Sequence, residues 1–407
     1  MGADLYQNLK SISTAKRKEV EKLVPRPKYV QGYFVPKALA GMPRKDLFKQ
    51  GVRMLSRIQM GCILASAEKI GWEKFINTIY ERQRPYVEAA AKQMKAKYNV
   101  PGDTLMDARI ISNIGAAGCG FERHQTIELS GDHFEGYGDW CGLVQAANEM
   151  GLGDKLELMS VWCDSYDNFE VHATNKDLWY VHANCIGRGD KYCRYFVDLF
   201  PEKQQGSFFE ILKRHIEEKR EELRKSYPEP SAVQGLGPPR VMEDFSEEQI
   251  YKNAVRIWNH ICTATILAAV ELLGWDAFLN LVSEKLKRGF TEAAGNLKRD
   301  FNVIGYSLRD GCRMYTGVST ACGFDKHHII EYSDRRIEGV AEWCPIIDSA
   351  KNLGAGKVLE EMSLWCDLYN NFNIQAVSPT SQQVFTHCIG RGDQYCRFIM
   401  EKKQNRG

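Results

Sequence analysis

The chain has 407 residues, which is longer than a single hydrophobic core usually grows, so we expect two domains. Apolar residues make up 44% of the sequence and the formal net charge is +2, a composition typical of globular proteins with substantial cores. Because this near-neutral charge supplies no bulk field for polyanions, we expect no nucleic-acid partner and no binding to anionic lipid.

The first elements in chain order are predicted to be helices. The charged stretch 1–25 contains no apolar signal-peptide core, and we interpret it as the N-terminal helix of a cytoplasmic protein. Apolar residues recur at helical spacing in 46–70 and again in 73–97, with Gly71 between the two segments. The longest apolar run, TATILAAVELLGW, is interrupted by Glu271 and is too short for a membrane span, so no membrane partner is expected.

The segments that follow are predicted to be mostly strands. Over 105–137 the apolar residues no longer follow helical spacing, and we interpret this stretch as strands and turns. A helix is then predicted in WCGLVQAANEMGLGDKL. The stretch 156–198 is rich in Val, Trp, Tyr and Phe, and we interpret it as strands. A charged helix over 207–226 and a Pro/Gly-rich connector precede the second half of the chain.

The two halves of the chain repeat each other. The loop CIGRGDKYC, Cys185 to Cys193, returns as CIGRGDQYC, Cys388 to Cys396, which is an offset of 203 residues. With that offset ELMSVWCDSYDNF meets EEMSLWCDLYNNF, and GCGFERHQTIE meets ACGFDKHHIIE, without a gap. A unit of this length can close its own core, so the sequence indicates two similar domains rather than a solenoid.

We therefore predict an α+β fold made of two homologous domains. Each domain is expected to have an N-terminal helical part followed by an antiparallel sheet that ends in a C-terminal hairpin. The two domains are expected to pair within the chain as a pseudo-dimer. The predicted boundaries are an N-terminal helix at 1–25, the first domain at 26–200, a charged helix and linker at 201–228, and the second domain at 229–407.

The CIGRGDKYC loop is predicted to be a β-hairpin that turns around Gly189 and Asp190. In such a hairpin Cys185 and Cys193 lie symmetrically about the turn and face each other across the two strands. Two neighbouring thiols can pack as small apolar side chains, bind a metal ion together or form a disulfide, and the sequence leaves these alternatives open. The RGD letters are interpreted as part of the turn rather than as an adhesion motif.

A metal site would need about four ligands, and the first copy can supply them. Its candidate metal ligands, with zinc as the expected ion, are Cys163, His182, Cys185 and Cys193. No other cofactor is expected. In the second copy Phe385 stands at the position of His182, so the same set is incomplete there. This difference favours a working site in the first copy.

A cysteine nucleophile is the alternative use of these thiols. Cys163 is followed by Asp164, and its equivalent Cys366 stands in the same WCD triplet. A thiolate needs a base or a positive neighbour at neutral pH, and His124 has an equivalent in both copies. We therefore predict Cys163 as the nucleophile and His124 as its proton relay. Glu128 would orient the imidazole and Asp164 would hold the polarity of the site, although His124 is also typical of a strand surface.

Short motifs in both copies resemble a known family of enzymes. In the second copy Cys344-Pro345, Cys366-Asp367 and the GDQYCRF ending resemble the L-2-amino-thiazoline-4-carboxylate hydrolase family. The first copy keeps the cysteines of these motifs but has Gly142 at the place of the proline. The resemblance covers the final part of each copy, and it implies an α+β fold and hydrolase activity.

The cysteine pair of each loop is also similar to the ending of the 4-vinyl reductase domain and related ligand-sensing domains. In those domains an acidic residue three positions before the first cysteine joins an upstream cysteine and the pair in holding zinc. Here His182 stands at that position, and Phe385 replaces it in the second copy. The two resemblances together imply a buried pocket for a small cyclic or aromatic ligand.

The function expected from these observations is that of an enzyme acting on a small cyclic or aromatic organic substrate. The predicted reaction is hydrolysis of a non-peptide C–N bond by a cysteine nucleophile. One alternative is a zinc-clamped small-molecule-binding module of the 4-vinyl reductase type. A reductase of a conjugated substrate is the other, although the sequence contains no GxGxxG nucleotide loop to support it.

Overall fold

The structure is a computed structural model, and it describes residues 5–23, 42–108, 111, 124–129, 133–199, 205–226, 245–324 and 327–402. The chain divides into two compact units. Residues 67–148 and 152–257 form the first-sheet unit, and residues 1–66, 149–151 and 258–407 form the second-sheet unit. The predicted Pro/Gly-rich connector before the second half lies outside the described residues.

The helices and strands described for the first half of the chain recur in the same order in the second half, where two further helices are described. The elements of the first half are α1 (Leu5–Leu23), α2 (Arg44–Ile70), α3 (Trp72–Tyr98), β1 (His124–Leu129), β2 (His133–Gly138), α4 (Gly142–Glu149), α5 (Leu156–Thr174), β3 (Leu178–Asn184) and β4 (Cys193–Leu199). Those of the second half are α6 (Phe208–Ser226), α7 (Glu247–Leu273), α8 (Trp275–Glu292), α9 (Ala294–Asp300), α10 (Leu308–Ala321), β5 (His327–Tyr332), β6 (Arg336–Ala341), α11 (Pro345–Asn352), α12 (Leu359–Val377), β7 (Ser381–His387) and β8 (Cys396–Lys402). The bounds of α1, α2, α4, α5 and all four strands of the first half recur with the offset seen in the sequence.

In the residues that the structure describes, each unit contains one four-stranded sheet. The strand order is β1-β2-β4-β3 in the first sheet and β5-β6-β8-β7 in the second. Neighbouring strands run antiparallel throughout both sheets. The predicted α+β class with antiparallel sheets is therefore confirmed, and the last two strands of each sheet are joined by the cysteine-bracketed loop.

The paired N-terminal helices are confirmed. The segments predicted at 46–70 and 73–97 correspond to α2 and α3. Gly71 between them has a φ of 92°, a left-handed value that costs glycine little because it has no Cβ. Gly274 has a φ of 78° at the equivalent turn between α7 and α8.

The prediction that the whole stretch 156–198 forms strands is wrong over its first half. Residues Leu156–Thr174 form α5, which buries Met159, Trp162 and Phe169 among others. These positions recur every three to seven residues, the spacing of one helix face. The Val, Trp, Tyr and Phe content of the stretch favours strands by propensity, but the burial pattern of a helix prevails.

The first sheet is covered on both faces, and β3 is therefore buried along nearly its whole length. On one face Trp179 packs in a cluster with Leu212 of α6. On the other face Tyr180 packs in a cluster with Val171 of α5. Because side chains alternate along a strand, His182 lies on the same face as Tyr180, and the two rings are 5.0 Å apart.

In the second-sheet unit α1 packs on the sheet in the way that α6 does on the first sheet. The Ser13 hydroxyl donates to the backbone carbonyl of Phe385 on β7 at 2.8 Å. Arg17 forms an ion pair with Asp393 in the following loop at 3.0 Å. The helix at the start of the chain therefore packs against the sheet formed by its end, which the order of the sequence does not reveal.

The longest apolar run of the sequence lies in α7. Its residues Ala264, Leu267 and Ala268 are buried in the core of the second-sheet unit. In the part of the chain that the structure describes, no helix is long and apolar enough to cross a membrane.

Candidate functional site: a thiol pair beside a cavity

The loop between the last two strands of each sheet brings two thiols together. In the second sheet Cys396 Sγ lies 3.7 Å from Cys388 Sγ. A 3-10 turn over Ile389–Arg391 and then Gly392, with a φ of 87°, reverses the chain between them. The Asp393 carboxylate accepts the backbone N–H of Cys388 at 2.8 Å and fixes the loop. The predicted proximity of the bracketing thiols is confirmed here, and the Gly-Asp of the RGD triplet serves the turn.

The two thiols of this pair differ in acidity. The pKa of Cys388 is lowered because Cys396 donates a hydrogen bond to it and because Arg391 lies nearby, and these effects outweigh burial. The pKa of Cys396 is raised, since it donates that hydrogen bond and is itself buried. In the first copy a hydrogen bond from Cys193 lowers the pKa of Cys185 to about 6. The first cysteine of each loop is therefore the one that ionises more readily.

A cavity lies beside the thiol pair of the second-sheet unit. It encloses about 480 Å³, open solvent included, and both Cys388 and Cys396 line it. Val318 and Phe385 belong to its largely apolar walls, and Asn370 is one of its few polar groups. Its walls are apolar, a character that ligand pockets in other proteins share, but the space is narrow and a ligand has to displace the side chains that line it.

In both copies the cysteine of the WCD triplet is less acidic than the first cysteine of the loop. Cys366 also lines the cavity, but its hydrogen bond with Cys344 and its burial raise its pKa well above the usual value. In the first copy burial raises the pKa of Cys163, and the nearby Cys185 and Cys141 thiols add to the effect. The thiolate that a nucleophile requires is therefore disfavoured at both WCD positions.

His182 is the centre of a buried ion cluster in the first-sheet unit. Its Nδ1 lies 2.8 Å from Asp164 Oδ1, and Arg220 of α6 donates to Asp164 Oδ2 at 3.0 Å. The His182 carbonyl accepts hydrogen bonds from Arg220 at 3.0 Å and Arg188 at 2.7 Å. Burial lowers the pKa of His182, but the hydrogen bond and the charge of Asp164 raise it by more. These contacts tie β3 to α5 and α6.

Two more carboxyl groups follow Asp164 at intervals of three residues on α5. Asp167 Oδ2 lies 3.7 Å from His182 Nε2, and Glu170 accepts a hydrogen bond from the Tyr166 hydroxyl at 3.1 Å. Burial raises the pKa of Asp167 to about 7 and that of Glu170 to about 8. The first copy therefore has three carboxyl groups on α5, and two of them lie beside His182 near the end of β3.

The equivalent position in the second copy has fewer charged side chains. Phe385 replaces His182, and its backbone N–H donates to Asp367 Oδ1 at 2.7 Å. Arg391 pairs with Asp367 Oδ2 at 3.2 Å. Burial raises the pKa of Asp367 to about 7, although Arg391 acts in the opposite direction. Because Asn370 replaces one of the extra carboxyls, the space next to the thiol pair is apolar here.

The predicted relay residues lie on the edge strand of the first sheet. His124 is paired with Gly138 and Glu128 with Glu135 of β2, and a bulge falls between the two pairs. The structure describes the backbone of His124 and Glu128, but their side chains lie outside the described residues. Their contact with Cys163 therefore stays a prediction.

The equivalent of His124 in the second copy is His327, whose side chain is described. It is 1% exposed, and its ring lies 5.7 Å from that of Tyr315 and 5.9 Å from that of Phe324. Neither ring nitrogen has a hydrogen-bond partner in the described structure. Burial lowers the pKa of His327 to about 3, so this imidazole is neutral and a weak base near pH 7.

His182, one of the four predicted zinc ligands, has carboxylates at both of its ring nitrogens. His182 directs Nδ1 to Asp164 and Nε2 toward Asp167. Among the residues that the structure describes, no group of three or more His, Cys, Asp or Glu side chains is placed to hold a metal. The described cysteines are all free thiols. Zinc binding stays a prediction that metal analysis of the purified protein would test.

Comparisons with known proteins do not assign a family. No protein-family model matches the chain, and neither a curated protein nor a solved structure matches it. The resemblance to the hydrolase family and to the 4-vinyl reductase domain therefore stays a prediction. Function must be inferred from the geometry of the chain itself.

Three arginines of these clusters are not among the candidates that the sequence provides. Arg188 and Arg391 stand in the RGD triplets, which the sequence explains as turns. Arg220 lies in the charged helix α6, whose role as a cover of the first sheet depends on the fold. The available signal was the recurrence of Arg188 as Arg391 inside an otherwise turn-forming loop.

Proposed function

We propose that this protein is an enzyme that acts on a small cyclic or aromatic organic molecule in the cavity of the second-sheet unit. One observation supports this more than any other: the Cys388 thiol, with its lowered pKa, lies in the wall of a largely apolar cavity. The thiolate is the nucleophilic form of cysteine. The apolar walls around the thiolate favour an organic molecule over competing water at this position.

The reaction we propose is hydrolysis of a non-peptide C–N bond. The Cys388 thiolate attacks the electrophilic carbon of a C=O or C=N group and forms a C–S bond; the C–N bond then breaks, and the leaving nitrogen takes a proton from water. The hydroxide left from that water attacks the same carbon and forms the new C–O bond, the C–S bond breaks, and the thiolate is restored. Arg391, whose charge helps to lower the pKa of Cys388, stabilises the thiolate before and after the cycle.

The choice of Cys388 differs from the nucleophile predicted from the sequence. In the first copy Cys163 would attack with His124 as its relay, whereas Asp164 is engaged with His182. The raised pKa of Cys163 and the lowered pKa of Cys388 support the second copy for this reaction. Cys163 stays the second candidate nucleophile within the same reaction class.

A ligand-binding module without catalysis is the second candidate function. The observation that favours it is the absence of His, Asp and Glu from the described residues that line the cavity. No side-chain acid or base of these kinds would then meet the ligand to move a proton. This alternative is the binding module of the 4-vinyl reductase type, with or without its zinc clamp.

The recurrence of element bounds in the two halves also supports the wider prediction of two homologous domains. We propose that they form an intrachain pseudo-dimer, that the partner is a small molecule, and that the protein acts in the cytoplasm.

Acyl transfer from two aromatic probes tests the proposed reaction. The protein is incubated with p-nitrophenyl benzoate and benzoyl p-nitroanilide, release of the chromophore is recorded, and the benzoylated residue is located by mass spectrometry. We expect a benzoyl group on Cys388 and a loss of turnover of roughly 100-fold or more in Cys388→Ser. Cys312→Ala is the matched control, since Cys312 is a buried thiol outside the cavity wall.

Two outcomes would contradict this assignment. Unchanged turnover in Cys388→Ser, with loss of turnover in Cys163→Ser, would move the nucleophile to the first copy. Saturable binding of the probes with no benzoylation of any cysteine would favour the binding module.

A further inference from the structure

The two thiols of the second loop hold positions that a disulfide can bridge. His387 of β7 pairs with Arg397 of β8, so Cys388 and Cys396 are the next positions opposite each other. Opposite residues of antiparallel strands have Cα atoms about 4.5 to 5.5 Å apart, a separation that disulfides span. The sulfur atoms are 3.7 Å apart, and a disulfide of about 2 Å requires them to approach by roughly 1.7 Å. The bond therefore needs no change in strand pairing.

The contacts of the two thiols give them different roles. Cys396 donates a hydrogen bond to Cys388, and Arg391 lies nearby; both stabilise the Cys388 thiolate and lower its pKa. The backbone N–H of Ile389 donates to Cys396 Sγ at 3.4 Å and holds this sulfur beside Cys388. Cys388 is therefore the sulfur that attacks an oxidant, and Cys396 is placed to react with the oxidised Cys388.

The same contacts recur in the loop of the first copy. The backbone N–H of Ile186 donates to Cys193 Sγ at 3.4 Å, and Cys193 donates a hydrogen bond to Cys185. The surroundings of the two loops differ, since His182 stands where the second copy has Phe385. The pairing of a donor thiol with an acidic one is therefore a property of the loop itself.

A small oxidant can reach the pair of the second copy through the cavity. Phe324 and Ile346 are half-buried, whereas the other described residues that line the cavity are buried. Solvent therefore meets this space beside Phe324 and Ile346. Because the space is narrow, hydrogen peroxide enters it with little displacement of side chains, whereas a bulky oxidant has to displace several.

We infer that Cys388 and Cys396 are a redox-active dithiol, which a small hydroperoxide oxidises to an intrachain disulfide. The Cys388 thiolate attacks one peroxide oxygen; an S–O bond forms, the O–O bond breaks, and the released alkoxide or hydroxide takes the proton of Cys396. The Cys396 thiolate then attacks Cys388 Sγ; the S–S bond forms, the S–O bond breaks and hydroxide leaves. The peroxide gains two electrons and the two thiols lose two.

This inference rests on the geometry of the two thiols and goes beyond the proposed hydrolysis. A thiol of low molecular weight restores the dithiol by exchange, so in a compartment that such thiols keep reducing the disulfide is transient. While the disulfide exists, Cys388 has no thiolate. Oxidation therefore stops hydrolysis by Cys388, and this consequence alone rests on the proposed function.

Oxidation followed by peptide mapping tests the disulfide directly. The reduced full-length protein is treated with hydrogen peroxide at neutral pH, the remaining thiols are blocked under denaturing conditions, and the unreduced tryptic peptides are analysed by mass spectrometry. Cleavage after Arg391 places Cys388 and Cys396 in separate peptides. We expect these two peptides to be joined by a disulfide, with the loss of two hydrogens, and to separate after treatment with dithiothreitol.

Two variants make this test specific. In Cys396→Ala we expect no joined peptides, and a sulfenic acid at Cys388 that dimedone traps. Cys344→Ala is the matched control, because Cys344 is a buried thiol of the same cavity wall and has a hydrogen bond with Cys366 rather than with the loop pair. This variant should form the disulfide between Cys388 and Cys396 as the wild type does.

Three results would overturn the inference. The first is oxidation of Cys388 to a sulfinic or sulfonic acid in the wild type without a disulfide. The second is a disulfide from Cys388 to Cys344 or Cys366 in place of Cys396. The third is an unoxidised Cys388 under conditions that oxidise the thiols of the urea-unfolded protein.

Turnover of p-nitrophenyl benzoate by the oxidised protein separates the two proposals. Loss of turnover on formation of the disulfide, with recovery after dithiothreitol, supports both. Formation of the disulfide with unchanged turnover supports the dithiol and overturns the proposed reaction alone. Benzoylation of Cys388 in a protein that forms no disulfide overturns the inference alone.

Discussion

The two copies of the cysteine loop differ in what surrounds them. In the first copy His182 sits between Asp164 and Asp167, and two arginines hold its carbonyl. In the second copy Phe385 and Asn370 line an apolar cavity. The same backbone thus carries a charged cluster in one place and a cavity wall in the other, so side-chain substitution alone is enough to change the chemistry beside the thiol pair.

This comparison changes the interpretation of His182. From the sequence, the presence of His182 in only one copy favours the first copy as the working half. In the structure both ring nitrogens of His182 face carboxylates, and the residue connects a strand to two helices. The replacement by Phe385 leaves a neutral wall, and the proposed function lies with that copy.

The largest expected effect comes from making the first copy resemble the second at His182. His182→Phe removes the imidazole from the buried Asp164 carboxylate and leaves Arg220 as its closest charged partner. Removing one member of a buried ion pair is costly, and we expect the free energy of unfolding of the first-sheet unit to fall by about 3 kcal/mol. Urea titration monitored by circular dichroism measures it.

His133→Phe is the control for this change. His133 Nδ1 also lies 2.7 Å from a carboxylate, that of Asp198, but the two side chains are 12% and 22% exposed. Water screens this pair, so we expect a loss of about 1 kcal/mol or less. Equal losses for the two variants would mean that the buried cluster contributes no more to stability than a surface contact.

A smaller effect is expected from the acidic groups that distinguish the copies. Asp167 and Glu170 bind their protons more tightly in the folded protein than in the unfolded chain, since their folded pKa values are about 7 and 8. The free energy of unfolding should therefore fall as pH rises from about 4, the usual carboxyl pKa, to about 8, and change little above that.

Asp167→Asn introduces the residue that the second copy has at this position and should remove part of that fall. Because the Asp167 side chain is 24% exposed, water moderates the effect. We expect the variant to be on the order of 1 to 2 kcal/mol more stable than the wild type near pH 9 and about equally stable near pH 4. The control is Asp177→Asn at an exposed position, and a variant that follows the wild-type pH curve would contradict the assignment.

Local patterns predicted much of the fold and part of the site. Helical spacing gave α2 and α3, and the symmetric spacing of Cys185 and Cys193 about a turn predicted neighbouring thiols. The strand propensity of Trp162 and Phe169 led to the wrong prediction for α5, because the spacing of these residues follows one face of a helix. The spacing, not the residue types, was the more reliable signal there.

The rest depends on contacts between distant segments. The lowered pKa of Cys388 requires the hydrogen bond from Cys396 and the charge of Arg391 after the chain has turned. The contact of Arg220 with Asp164 requires α6 to cover the first sheet, and that of Ser13 with Phe385 requires α1 to cover the second. Patterns within one segment do not specify such pairings.

The proposed function depends on the acidity of Cys388 relative to the other thiols of the cavity, and residue-resolved alkylation measures it. The protein is treated briefly with iodoacetamide at a series of pH values, and the labelled fraction of each cysteine is determined by mass spectrometry. We expect labelling of Cys388 to rise at a pH below the usual thiol pKa, while Cys366 and Cys396 stay unlabelled there. Labelling of Cys366 or Cys396 at lower pH than Cys388 would contradict it.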